Sequence, residues 1–130
     1  MGRRWISGGS GRQQRRDVIS VSANGNIPNP VPGTDRIVMI NGTTALTTLV
    51  LTNPTKDADG DMLFLISNGK GAHVVTYTTS GLGGGGAASD VLTFSTVAQM
   101  SAVFIAANEL WVLVGGASGA GAVAGAPVIT

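Results

Sequence analysis

The strongest constraint on the fold is a run of short apolar segments between residues 61 and 114. Clusters of Gly, Asn and Ser separate these segments, and no other part of the chain has enough bulky side chains to form a core. The many Val, Thr, Ser and Gly residues favour strands and turns over a helix bundle. The sequence therefore predicts an all-β protein with one domain at residues 34–114.

We expect this domain to be a small antiparallel β-sandwich or barrel-like module. The continuous apolar run at 62–66 predicts a strand that is buried on both faces. Residues 102–114 predict a hairpin that turns at Ala107, Asn108 and Glu109. The predicted strands of the domain are residues 36–40, 45–52, 62–66, 72–79, 91–95, 102–106 and 110–114.

One segment, residues 96–108, fits a helix as well as a strand. Its apolar residues, continued by Trp111, recur at three- and four-residue steps, and Ser95 could cap a helix there. The Val-Phe-Ile and Trp-Val-Leu-Val clusters favour strands, because such β-branched and aromatic residues are enriched in sheets. We therefore predict strands for this segment.

The composition also bears on assembly. Charged residues make up 12% of the chain and hydrophobic residues 43%. A surface with so few charges indicates that part of it meets protein rather than water. We expect a homo-oligomer, a trimer, in which Trp111 is a core or subunit-contact anchor.

The first 33 residues predict an extended basic arm that ends in a Pro-rich strap. Five of the eight basic residues precede Asp17, the first acid, whereas the remainder has three basic residues against seven acids. Such arms bind something negative or lie along a partner. The short apolar-polar alternation at 18–22 predicts a strand that pairs with a neighbouring subunit. The residues expected to bind a partner protein or a neighbouring subunit are Arg3, Arg4, Trp5, Ile6, Arg12, Arg15 and Arg16.

The C-terminal segment, residues 115–130, is a Gly- and Ala-rich tail. It carries no charge, but its glycines and its lack of bulky residues argue against a membrane helix, so we expect no membrane association. We expect a loop that ends in a short strand at 127–129.

Three motifs resemble known functional sites. Asp57, Asp59 and Asp61 resemble the start of an EF-hand loop, but Met62 and Asn68 stand where the glycine and closing acid belong. The glycines between 81 and 86 fit a dinucleotide fingerprint without the helix and acid that should follow. His73 has no nucleophile signature beside it. We therefore expect no metal, no cofactor and no enzymatic activity, with a looser calcium site as the open alternative.

The apolar segments carry a resemblance to a known module. The matching residues are Gly60-Asp61-Met62-Leu63 with Leu65 to Asn68, Ala72 to Thr76, Leu92-Thr93-Phe94, Val103 to Ala106 with Asn108, and Trp111-Val112-Leu113. In this order they resemble a small β-module of tailed-phage structural proteins, including head-decoration proteins, head fibres and fibre tips. Two positions depart from its pattern: Glu109 replaces a glycine, and Gln99-Met100 replaces Gly-Asp.

The resemblance implies a trimeric virion protein without enzymatic activity. We expect a head decoration or cement protein on the capsid exterior, attached to the major capsid protein through its N-terminal arm. The alternatives are a trimeric tail-fibre or receptor-binding module and a virion protein that binds nucleic acid through the arginine arm. Nucleic acid is the partner we least expect.

Overall fold

The computed structural model describes residues 15–78, 90–96, 100–116 and 127–130. Among them are ten β-strands and one short 3₁₀ helix, Lys56–Ala58. The all-β prediction is confirmed. The strands are β1 (Arg15–Val21), β2 (Gly25–Asn26), β3 (Thr34–Ile40), β4 (Leu49–Leu51), β5 (Met62–Ser67), β6 (Val74–Tyr77), β7 (Asp90–Thr93), β8 (Ser101–Ala107), β9 (Leu110–Gly115) and β10 (Val128–Ile129).

The strands form two five-stranded sheets, which we name sheet A and sheet B. Sheet A has the order β1-β3-β5-β8-β9, and sheet B has the order β10-β7-β6-β4-β2. Along β5 and β8 of sheet A, and over the last four residues of β3, buried and partly exposed residues alternate, as expected where one face of a sheet lies on a core. The buried residues of both sheets belong to a single core cluster.

Two features of the predicted antiparallel β-sandwich or barrel-like module are wrong, namely the purely antiparallel pairing and the barrel-like alternative. Strands β1, β3 and β5 pair in parallel, and so do β2, β4 and β6, whereas the remaining pairs are antiparallel. Both sheets are also open, with strands at their edges. Parallel neighbours need a long crossover, and here each crossover runs through a strand of the opposite sheet. From β1 to β6 the chain thus passes five times from one sheet to the other, before the antiparallel strands follow.

The predicted extended arm is wrong for residues 15–33. Strand β1 pairs with β3 of the same chain. This intrachain pairing takes the place of the expected pairing with a neighbouring subunit. Ile27 is buried in the core, and the Gly33 N–H donates to the buried Asp61 carboxylate at 2.7 Å. Residues 15–33 therefore belong to the same folded body as the predicted domain.

Residues 96–108, which fit a helix as well as a strand, contain a strand and no helix among their described residues. Strand β8 covers Ser101–Ala107 and forms a hairpin with β9, as predicted. Asn108 and Glu109, at the turn, have φ angles of 54° and 62°. Positive φ at both central residues is the geometry of a type I′ turn, whose twist matches that of the strands. The predicted C-terminal strand is also present, and β10 pairs with β7.

Candidate interaction surface

The outer face of sheet A is apolar across all five strands. Residues that alternate with the buried ones point away from the core, and on this sheet most of them are large hydrophobic side chains. The polar exceptions are Arg16, Ser20, Asp35 and Ser101. Strand β5 was predicted to be buried on both faces, but only one of its faces is buried. We name the outward set the apolar face; its members are Val18, Ile37, Met39, Met62, Phe64, Ile66, Val103, Ile105, Leu110, Val112 and Val114.

Strand pairing places these side chains in rows. The central row runs Val18, Ile37, Phe64 and Val103 across four neighbouring strands. A second row joins Met62, Ile105 and Val112. With strands about 4.8 Å apart and about 3.3 Å per residue, the rows cover on the order of 400 Å². A contiguous apolar patch of this size on a protein marks an interaction site more often than ordinary surface.

Among the described residues, charged groups lie only at the margin of the apolar face. Arg16 is exposed at the start of β1, on the same side as Val18. The buried Asp35 carboxylate accepts a hydrogen bond from the Met62 N–H at 2.8 Å. A partner could therefore cover the rows without burying an unpaired charge, which would cost several kcal/mol.

The outer face of sheet B has a different composition. Its outward residues form two rows of alternating Val and Thr: Val50, Thr76 and Val91, and then Val74, Thr93 and Val128. Asn26 continues the first row at the edge of the sheet. The threonine hydroxyls can hydrogen-bond to water, and none of these side chains is as large as Phe or Met. Sheet B therefore presents a smaller and wetter surface than sheet A.

The predicted partner-binding residues are only partly described. Arg3, Arg4, Trp5, Ile6 and Arg12 lie outside the described residues. Both Arg15 and Arg16 are exposed at the start of β1. Because successive side chains of a strand point to opposite faces, these two arginines lie on opposite sides of sheet A.

An ion pair that the sequence analysis did not anticipate lies beside them. Asp17 accepts two hydrogen bonds from the Arg36 guanidinium, at 2.9 Å to Oδ1 and 2.8 Å to Oδ2. Arg36 also donates to the Pro28 carbonyl at 2.9 Å. The hydrogen bonds from Arg36 hold the pKa of Asp17 below its ordinary value. This pair ties β1 to β3 and to the proline-rich segment, so its role within the described residues is structural.

Trp111 lies in the core. It is fully buried, its backbone N–H donates to the Tyr77 hydroxyl at 3.0 Å, and its Nε1 donates to Asn29 Oδ1 at 3.4 Å. These contacts join β9 to β6 of the opposite sheet and to the segment before β3. A buried indole is not available for stacking on a sugar, and its part in a trimer contact stays a prediction.

Two of the three carboxylates of Asp57, Asp59 and Asp61 accept hydrogen bonds from backbone N–H groups. Asp61 accepts from Gly33, and Asp59 Oδ1 accepts from the Asn108 N–H of the β8–β9 turn at 2.9 Å. Asp57 is exposed. The described residues include no group of three His, Cys, Asp or Glu side chains arranged to bind a metal ion. The glycines between 81 and 86 lie outside the described residues.

His73 is fully buried and holds two loops together. Its Nδ1 accepts a hydrogen bond from the Leu46 N–H at 3.1 Å, and its Nε2 lies 3.0 Å from Asn68 Oδ1. Because Nδ1 is an acceptor, the proton is assigned to Nε2, which donates to Asn68. Burial lowers the pKa of His73. Both ring nitrogens of the neutral imidazole are thus used in structural hydrogen bonds.

Comparisons with known proteins add no family to this description. No family model matches the chain, and the search of curated proteins gives no significant match. Among the described residues, no helix has the length and hydropathy that a membrane crossing requires. The candidate site therefore rests on the geometry of the two sheets, and the resemblance to phage modules rests on the sequence motifs.

Proposed function

We propose that the protein is a structural component of a tailed-phage virion, a trimeric decoration or cement protein on the capsid exterior. The observation that supports this function best is the apolar face of sheet A. A protein whose role is to be covered by other subunits needs such a surface, whereas an isolated domain gains nothing from it. The sequence motifs described above supply the phage context.

The chemistry of the apolar face favours copies of the same chain as its partner. The rows carry no charge, so a second apolar face can cover them without unpaired ions. An area on the order of 400 Å² is about half of what each partner buries in a standard two-protein interface. A closed ring, in which each subunit contacts two neighbours, uses more surface per subunit. This argument favours a cyclic trimer over a dimer formed by the apolar face alone.

The basic N-terminal residues are the proposed attachment to the major capsid protein. Arginines pair well with carboxylates through two parallel hydrogen bonds, and Trp5 with Ile6 would fill a pocket in the shell. Arg15 and Arg16 are exposed and so are open to a partner. Since β1 begins at Arg15, the attachment segment can be removed only up to residue 14 without cutting into sheet A.

The test is a truncation of residues 2–14, assayed on heads that lack this protein. We expect the shortened chain to remain folded and trimeric in sedimentation and to lose head binding. The full chain is the matched control. Full head decoration by the shortened chain would contradict the proposed attachment. If the five arginines instead bind DNA, log K should fall with log salt with a slope of about −4.5, and that result would replace the capsid contact with a nucleic-acid contact.

A further inference from the structure

The four sheet edges formed by the described strands differ in how well they are protected. At the edges of sheet B, β2 and β10 have two residues each. At one edge of sheet A, β9 has an irregular register opposite Val103 and Phe104. The other edge, β1, has seven residues in regular register with no proline. Short strands and bulges are devices that prevent edge pairing, and β1 has neither.

The hydrogen bonds of β1 show which backbone groups face away from the sheet. Arg15 N–H donates to the Gly33 carbonyl, and the Val21 carbonyl accepts from Asn41 N–H. In a parallel pair, the residues that bond to one neighbour alternate with residues that face the other way. Arg16, Val18 and Ser20 therefore direct their N–H and C=O groups to the open edge, where no described strand pairs with them.

We propose that this edge pairs with the same edge of a second copy of the chain. The two β1 strands would run antiparallel about a two-fold axis at Val18. Val18 would then face Val18 of the second copy, and Arg16 would face Ser20 of the second copy. All the outward N–H and C=O groups of the three residues on each strand would be used, and two sheets A would become one continuous sheet.

The side chains of β1 favour this arrangement over its alternatives. A parallel pairing of two copies would set Arg16 beside Arg16, and like charges directly opposite each other destabilise a sheet. The antiparallel pairing sets each arginine beside a neutral serine. At its centre is Val18, which is 62% exposed and is the end member of the central apolar row. Pairing would bury Val18 and join the central rows of the two copies.

This contact is distinct from the trimer proposed above. It uses the backbone edge of β1 and the side chain of Val18, whereas the trimer uses the outward side chains of the other four strands of sheet A. If both contacts form, three-fold assemblies are linked through two-fold contacts, which would suit a protein that reinforces a shell. If the trimer does not form, the edge contact by itself gives a dimer, so the two proposals can fail separately.

The first test uses a single introduced cysteine, because the chain has none of its own. Val18→Cys would bring two thiols together across the two-fold axis, where Cα atoms of a hydrogen-bonded antiparallel pair lie about 5.5 Å apart, within disulfide range. Oxidised glutathione accepts the two electrons and two protons of the thiol pair. The matched control is Val31→Cys, since Val31 is 66% exposed and lies in a loop.

At micromolar protein, we expect Val18→Cys to form the covalent dimer on the order of a hundredfold faster than Val31→Cys, because paired strands hold the thiols at millimolar local concentration. Equal rates for the two variants would overturn the proposal. That result would assign the edge to another part of the chain or to a different protein.

The second test exchanges charges at the axis. Val18→Lys and Val18→Glu should each lose the two-fold contact in sedimentation, because identical charges would face each other. A one-to-one mixture of the two variants should recover it. Recovery identifies a contact between two copies of residue 18, since a different partner would respond to only one of the charges. Failure of the mixture to associate, with both variants still folded by circular dichroism, would overturn the proposal.

Discussion

The outer faces of the two sheets differ although both sheets share one core. Sheet A presents Phe64, Ile37 and Met39 among its outward residues, whereas the outward residues of sheet B are valine and threonine, with Asn26 at one edge. Hydrophobic burial contributes about 25 cal/mol per Å² of apolar surface, so the larger side chains of sheet A favour a covering partner more strongly. In the proposed assembly, sheet A is the face for association and sheet B is the face for solvent.

The comparison also explains the low charge of the chain. A protein that is solvated on both sheets would carry polar residues at every second position of its strands. Sheet B follows that rule in part through its threonines, and sheet A departs from it. The missing charge is therefore concentrated on one side of the body, where a partner subunit would exclude water.

The most direct test of the difference between the two outer faces is to place the same charge on each of them. Phe64→Asp would bury a carboxylate in the proposed contact, and we expect the dissociation constant of the oligomer to rise by at least about two orders of magnitude, or about 3 kcal/mol. Thr76→Asp, at the centre of sheet B, is the matched control and should leave it unchanged. Sedimentation equilibrium measures both, and equal effects would show that the two faces do not differ in function.

The next largest effect separates fold stability from association. Trp111→Ala removes a fully buried side chain and should lower the free energy of unfolding by about 3 to 5 kcal/mol. Both outer faces remain intact, so the folded fraction should still associate at low temperature. Thermal unfolding followed by circular dichroism is the measurement. An unchanged melting temperature would contradict the buried position of the indole, and Trp111→Phe should give an intermediate loss.

Acidification should lower the stability of the protein through His73, which precedes β6 of sheet B. Its pKa is lowered from the ordinary value of 6.5, so the unfolded chain binds the proton more readily than the folded chain. Stability should therefore be fully present above pH 6.5 and fall as the pH drops below it, by at most about 1.4 kcal/mol per pH unit.

The control for acidification is His73→Asn, which retains an acceptor oxygen near Nδ1 but does not titrate. Its melting temperature should show a weaker dependence on pH in the same range. The Asp17–Arg36 pair should not contribute in this window, because the pKa of Asp17 lies below 3.8. Parallel pH profiles for the variant and the natural chain would contradict the role given to His73.

The smallest expected effect lies in the hairpin of sheet A. Glu109 has a φ of 62°, a region that favours glycine, so Glu109→Gly should raise the free energy of unfolding by about 0.5 to 1 kcal/mol. Glu109→Ala removes the same charge without relieving the backbone and should give no gain. Chemical denaturation measures the difference. Equal stabilisation by both substitutions would assign the effect to charge rather than to turn geometry.

The amino-acid sequence alone determined the strand character of the chain and the positions of several turns. Short segments rich in Val, Ile, Phe and Thr, separated by turn residues, set the all-β class through local preference. Local signals also sufficed for the β8–β9 hairpin and for the strand at the C-terminus. The burial of Trp111 was predictable because a large indole in an apolar strand is most stable in a core.

The tertiary structure decided which strands are neighbours. Pairing between β1 and β3, or between β4 and β6, depends on where each crossover passes, and no local pattern specifies it. For the same reason, the prediction that the core lies between residues 61 and 114 missed Ile27, Val38 and Leu49, which are buried in it. Burial depends on the packing of both sheets, which a count of bulky residues along the chain does not capture.

The amino-acid sequence likewise did not show that the apolar face lies on the surface of the body. The run at 62–66 appears in sequence as a strand buried on both sides, since a covered face and a face awaiting a partner have the same composition. Only the packing of sheet B against one side of sheet A distinguishes them. The sequence thus determined that the strands would be apolar, and the tertiary structure decided which half of those side chains enters the core and which half remains available for another subunit.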